Sequence, residues 1–204
     1  MSTEWPPPLP GPPLPLPGLP EDDLRRRVFD RLLERRTIMV DRPLSLETAT
    51  MVAAQMMTLD ADAASDDADP MTLLVNSVGG PVDAVGAVLD TIDLVRVPVD
   101  TSCLGQAVGT AALVVAAGTG RRRAGPGALF RLRLPEVELS GTARRLGDEV
   151  ADHRRLHDSI VDRLAAATGQ ERRLIVRDLE RGRALSAEEA VAYGLIDEIA
   201  RKGG

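Results

Sequence analysis

The chain reads as an α/β domain, and three observations lead there. Short continuous apolar runs of strand length, such as residues 71–75 and 97–104, alternate with segments of helical periodicity. Residues 71–75 are apolar without a polar alternation, the pattern of a strand covered on both faces of a parallel layer. A glycine turn, Asn76-Ser77-Val78-Gly79-Gly80, joins the end of that strand run to the start of a helical one. Repeated β–α units of this kind pack as a single sheet clothed by helices. At 204 residues the chain suits one domain with a real core.

Residues 1–20 hold nine of the fifteen prolines. Each proline fixes φ and removes a donor, so this arm is expected to be extended polyproline II or disordered. Its Pro-x-x-Pro spacings suit an aromatic groove, but the plainer reading is a floppy tail. The folded domain is expected over residues 21–204. A helix is predicted for 21–35, with Leu24, Val28, Phe29, Leu32 and Leu33 on one face and acids in its first turn. Residues 37–40 form a short strand. Ser45 caps a helix reaching about Asp60, with Glu47 near its positive end, and the acidic, small-residue stretch 60–70 is a loop. The strand 71–75 and its turn lead into a helix opened by Pro81 and reaching about Val95.

A strand over 97–104 is followed by a turn at Gly105–Ala112 that opens an apolar helical run, 111–117. After Gly120 the chain is strand-like to Leu139, broken by Pro126 and Pro135. A long helix is predicted for 142–168 and a shorter one for 170–180. Ser186-Ala187-Glu188-Glu189 is a capping box for another, and 195–200 is a last strand.

Composition removes several function classes. The net charge of −6 argues against a general nucleic-acid binder. Lys202 is the single lysine, so the positive charge is arginine, and the run Arg121-Arg122-Arg123 is read as a solvated turn. One cysteine, Cys103, rules out an internal disulfide framework and suits a reducing, cytoplasmic setting; within an apolar strand it is expected to be an inert core thiol. No apolar run reaches the roughly 18 residues that span a bilayer, so no membrane role is expected. His153 and His157 are spaced i, i+4 on the long helix; such a pair binds zinc only with a third ligand, and solvent-exposed helix positions are expected. No cofactor and no metal are expected.

Three segments in order carry a family resemblance: Asn76-Ser77-Val78-Gly79-Gly80; Leu104-Gly105-Gln106-Ala107 with the small residues after it; and Leu185-Ser186-Ala187-Glu188-Glu189-Ala190-Val191-Ala192-Tyr193-Gly194-Leu195-Ile196-Asp197. The chain resembles the Clp protease proteolytic subunit, ClpP, over about residues 24–200. That resemblance implies a crotonase-like spiral of repeated β-β-α units with a protruding handle helix, here about 134–168. It also implies the machinery of a compartmentalised serine peptidase. The glycine turn departs from the family's Ser-Pro-Gly-Gly by having Val78 for proline.

The family divides the chemistry among three side chains: a serine attacks the carbonyl, a histidine carries its proton, and an aspartate orients the imidazole. By resemblance the serine position is Gly109, the histidine position Arg133 and the aspartate position Gly182. The Arg133 assignment needs one deletion near residues 118–121, but no histidine occurs anywhere before residue 153. The backbone N–H groups of Gly80 and Thr110 correspond to an oxyanion hole, and Arg181 to a ring-to-ring contact. Thr110 and Ser77 are the nearest hydroxyls, neither with an evident base.

These correspondences predict a non-catalytic ClpP-like subunit with a structural or regulatory part in a Clp-type ring assembly. It would be a homo- or hetero-oligomer, in heptameric rings with an active paralogue. Thr72 and Leu74 stand where tyrosines are common, and the proline arm replaces the usual axial segment, which argues against docking of an AAA+ unfoldase through this subunit. Two alternatives remain open from the residues: a crotonase-like enzyme using the residual oxyanion hole on an acyl substrate, and a serine endopeptidase with residual activity.

Overall fold

The computed structural model describes residues 21–63, 69–134 and 143–201. The proline-rich arm, and the strand expected to continue to Leu139, lie outside the described residues. In chain order the elements are α1 (Glu21–Leu33), β1 (Thr37–Val40), α2 (Leu46–Ala61), β2 (Met71–Ser77), α3 (Val82–Leu94), β3 (Val99–Val108), α4 (Thr110–Ala116), β4 (Arg122–Ala124), β5 (Leu129–Leu132), α5 (Ala143–Thr168), α6 (Arg172–Arg181), β6 (Arg183–Leu185), α7 (Ala187–Tyr193) and β7 (Glu198–Ile199).

The α/β class follows from the pairing. Strands run in the order β1-β2-β3-β4-β7, all parallel as expected, but β2 is not covered equally on both faces: Met71, Leu73 and Val75 are buried while Thr72 and Leu74 on the other face are partly exposed. Ser45 caps α2 by accepting the Thr48 N–H at 3.2 Å. Ser186 and Glu189 close the capping box of α7 in both directions. Every residue of α4 is buried; a helix apolar all round belongs in the interior, and this one packs on β2 and β3 with α3 and α5 against it. The second half of α5 contributes Ile160, Val161 and Leu164 to the core. From Val150 to Ser159 its residues are exposed or half-buried, so the helix protrudes from the body.

The strand β3 differs from its expected form in a way that builds the site. It does not stop at Leu104 but runs to Val108. Val75 lies opposite Cys103 while Ser77 lies opposite Ala107, so β3 carries extra residues around Gly105, which has φ +86°. Such a bulge bends a strand and re-aims its continuation. Before the bulge β3 pairs with β4; beyond it, Gln106–Val108 pair with Leu129–Arg131 of β5. Antiparallel to β5 runs β6, which sequence patterning did not reveal because it is only Arg183–Leu185.

The arginine run is not a solvated turn. Arg122 and Arg123 form β4, and Arg123 is buried with its guanidinium 3.1 Å from the buried Asp100. Arg122 pairs with Asp197 and donates to the carbonyls of Ala167 and Gly194 at 2.8 and 3.0 Å. It thereby ties β4 to the ends of α5 and α7, a tertiary role that local composition does not signal.

Candidate functional site

The site is built where β3 ends. Val108 closes the strand, Gly109 makes the whole turn, and Thr110 starts α4, so the turn is far tighter than the eight residues expected. Gly109 has φ 61° and ψ −124°, backbone space that costs a residue with a Cβ on the order of 1–3 kcal/mol. Hydrolases that present a nucleophile on a strand-to-helix turn hold it in strain of this kind. Glycine relieves the strain and leaves no reactive atom. A Cβ here would also stand 3.0 Å from the Arg133 carbonyl oxygen.

That contact puts the second sequence-assigned position next to the first. Gly109 donates its N–H to the Arg131 carbonyl at 2.8 Å, which continues the β3–β5 ladder. The third lies just past the β5–β6 ladder: Leu132 pairs with Arg183, and Arg133 and Gly182 are the next residue of the chain on either side of that last pair. Gly109, Arg133 and Gly182 therefore all lie near the same end of β5. The Arg133 side chain is exposed. Gly182 caps α6 in the left-handed region (φ 64°), and Arg181, the last residue of α6, is exposed beside it.

The glycine turn after β2 lies against the same place. Gly80 donates its N–H to Thr110 Oγ1 at 2.8 Å, and the Thr110 hydroxyl in turn lies 3.0 Å from the Gly80 carbonyl. The hydroxyl of Thr110 thus occupies the Gly80 donor from within the chain. Ser77 is buried; it donates to the Arg42 carbonyl at 2.8 Å and accepts the Gly79 N–H at 3.1 Å. Both hydroxyls are structural clamps. A threonine directly after the small turn residue was the one sequence signal for this arrangement, and it was legible only as a possible nucleophile.

Behind Gly182 lies a polar cluster that sequence reasoning missed. Asp178 is 3% exposed and accepts from Arg183 Nη1 at 2.8 Å and from the Tyr193 hydroxyl at 3.0 Å; Arg177 lies 3.3 Å away. The Arg183 guanidinium also stacks 5.0 Å from the centre of the Tyr193 ring. Burial alone pushes the Asp178 pKa up. The hydrogen bonds from Arg183 and Tyr193 and the charge of Arg183 outweigh it and hold the carboxyl below its ordinary value. Burial, and then the same carboxylate, push the Tyr193 phenol upward. The cluster pins α6, β6 and α7 together just behind Gly182.

Other sequence-selected residues are placed elsewhere. Cys103 is fully buried in β3, and burial pushes its pKa up to about 12. Its thiol is therefore expected to resist Ellman's reagent in the native protein and to react stoichiometrically once the chain is unfolded; fast native modification would contradict this. His153 and His157 lie half-buried on the protruding half of α5, the latter 3.8 Å from Asp158. Among the described residues no group of three His, Cys, Asp or Glu side chains is close enough to hold a metal. A cavity of about 520 Å³ among Asp93, Gly118, Arg122, Arg163 and Asp197 lies near the start of β3, away from Gly109. Its arginines are already paired, Arg122 with Asp197 and Arg163 with Asp90 and Asp93.

Among the described residues no helix is long and apolar enough to cross a membrane. A family model described as Clp protease matches residues 21–203.

Proposed function

The chain belongs to the Clp protease family, and from that premise we propose that it is a non-catalytic, ClpP-like subunit with a structural or regulatory role in a Clp-type proteolytic ring assembly. One observation carries the reading. The positions that resemblance gives to nucleophile, base and orienter hold Gly109, Arg133 and Gly182, and support comes from the Arg133 carbonyl lying against Gly109 while Gly182 directly precedes the strand paired with β5. Glycine supplies no nucleophile. A guanidinium stays protonated in proteins and offers no basic lone pair to a reacting proton. Removing one triad serine or histidine in a well-studied protease costs on the order of 10⁶ in kcat, and here all three tasks lack a side chain suited to them.

The neighbouring hydroxyls do not repair this. Thr110 and Ser77 are buried and hydrogen-bonded to backbone groups. An acyl-transferring, crotonase-like reaction would draw on two free backbone N–H groups, and that of Gly80 is taken by Thr110. For assembly, the support is the exposed half of α5 and the exposed Arg181, where resemblance places contacts between rings. A homo- or hetero-oligomer fits these surfaces, in heptameric rings with an active paralogue in the cytoplasm. Thr72 and Leu74 in β2 still argue against unfoldase docking through this subunit.

Two measurements test the proposal. The purified protein is expected to take up no fluorophosphonate and to cleave peptides at least about 10⁴-fold more slowly than an active relative. Co-expressed with an intact ClpP, it is expected to appear in the native mass of a mixed ring. Labelling at Ser77 or Thr110 together with inhibitable hydrolysis would overturn the non-catalytic reading. A strict monomer, alone and with every intact paralogue tried, would overturn the assembly role.

A further inference from the structure

The first helix leaves its apolar face unfinished. Leu24, Val28, Phe29, Leu32 and Leu33 share one face of α1 by periodicity, the stripe that an amphipathic helix buries, yet all five are only half-buried. On α2, Met51 is 59% exposed. Between these two helices and β1 lies a cavity of about 310 Å³, with Phe29, Met39, Met51 and Val52 as its apolar walls. Arg25 lies over the Phe29 ring, 4.7 Å from its centre, and Asp41 holds it there through bonds of 2.6 and 2.7 Å. The aromatic ring and its cation are thus fixed before any occupant arrives. Arg42 and Gln55 also line the cavity and bring side-chain N–H donors to it.

The chemistry of the lining selects an occupant that is apolar, uncharged and rich in acceptors. Its four charged residues, Arg25, Asp41, Arg42 and Glu47, cancel in sign, so neither an acidic nor a basic segment is favoured. Residues 5–20 of the chain match. They carry no charged side chain, and nine of these sixteen residues are prolines, which offer a carbonyl but no N–H. They lead directly into α1 at Glu21, four residues or about 6 Å of helix before Arg25. Attachment to the same chain keeps their effective concentration at the groove high. Lengths agree as well. From Glu47 to Gln55, both in the lining, α2 covers about 12 Å at 1.5 Å per residue. One turn of polyproline II, three residues, covers about 9 Å. Gly18 stands between the stretch 12–17 and α1, and a residue without Cβ permits the reversal that docking needs.

We propose that this groove holds the chain's own proline-rich arm, with residues 12–17 laid between α1 and α2. Pro13 and Leu16, one polyproline turn apart, share a side and cover Phe29 and Met51. Arg42 and Gln55 donate to carbonyls of the arm. Proline rings on an aromatic floor are a general mode of recognition, and a polyproline segment loses little entropy in adopting it. The arm is then a fixed part of the surface beside α1 and not a free tail. This depends on neither the triad positions nor the ring assembly, so it can fail while the reading above stands.

The test is cross-linking within the full chain. Cys103 is fully buried, so cysteines placed elsewhere react selectively. In Leu14→Cys/Glu47→Cys, a short bismaleimide is expected to join the arm to α2 inside one chain, read as a faster-migrating monomer band on a denaturing gel and located by peptide mass. Leu14→Cys/Glu171→Cys, with the second thiol at the N-cap of α6, is expected to link at least about fivefold less. Adding Met51→Glu puts a charge into the groove and should cut the link between positions 14 and 47 at least about fivefold. Met57→Glu, at a position 63% exposed on the same helix and outside the lining, should leave it within about twofold. Equal linking to positions 47 and 171 would mean a free arm and overturn the proposal; that comparison needs no charge placed in the groove. An undiminished link in Met51→Glu, with circular dichroism showing the variant folded, would also overturn it. A link formed only between two chains would assign the groove to the arm of a second copy and overturn the chain's own arm as its occupant.

Discussion

Alanine at Gly80 is expected to destabilise the protein by about 3 kcal/mol or more, enough to leave much of it insoluble on expression. A Cβ at this position would stand 2.0 Å from the Leu44 carbonyl oxygen, and the Leu44 backbone is itself held by its N–H to the Gly79 carbonyl at 3.0 Å. Relief would require breaking that bond or pulling Gly80 away from Thr110, to which it is bonded through its own N–H and carbonyl. Gly86, in the middle of α3 with no heavy atom within 4 Å of a built Cβ, is the control. Gly86→Ala is expected to stabilise by up to about 1 kcal/mol, since alanine favours helix over glycine by that amount. Urea denaturation of the two variants measures both effects. A Gly80→Ala protein as stable as the parent would show that the turn can shift freely, and the packing described around Thr110 would have to be given up.

Removing the Asp178 carboxylate is expected to cost about 2 kcal/mol at neutral pH, because it leaves the buried Tyr193 hydroxyl and the partly exposed Arg183 without their shared acceptor. In thermal melts of Asp178→Ala this corresponds to a fall in Tm of about 6 °C for a domain of this size. The pH dependence has a definite sign. The folded-state pKa of Asp178 lies below its ordinary value of 3.8, so the unfolded chain takes up the proton first as pH falls. The stabilisation is complete above the unfolded value and is lost as pH drops through the lower folded one. The stability gap between the parent and Asp178→Ala should thus be constant above about pH 5 and narrow below about pH 4. A gap that held steady down to pH 2 would mean the carboxylate charge contributes nothing and the loss is one of packing alone.

Much of the fold was legible in the residues. The boundaries of β1, α2, α3 and the later helices came from apolar periodicity and from caps such as Ser45 and Ser186, because these signals act over a few residues of chain. Membership of the family was readable in three ordered segments and stands over residues 21–203. The extension of β3 to Val108 was not readable, since Gly105 and Gln106 look like a turn when no neighbour is in view. Only pairing with β5 keeps them in a strand. The short β6 was missed for the same reason, as was the change of Arg122 and Arg123 from surface charge to internal ties, which depends on Asp100 and Asp197 being brought alongside.

At the site the division is similar. Residue identity alone established that Gly109 has no nucleophile to offer, that no histidine precedes residue 153, and that a glycine pair follows the β2 strand. These are statements about which atoms exist. That the Arg133 carbonyl lies against Gly109, that Gly182 precedes the strand paired with β5, that the Thr110 hydroxyl fills the Gly80 N–H, and that Asp178 is buried was decided by tertiary structure. Each depends on groups dozens of residues apart in the chain. Hydrogen-bond geometry and burial exist only once the sheet has closed those distances.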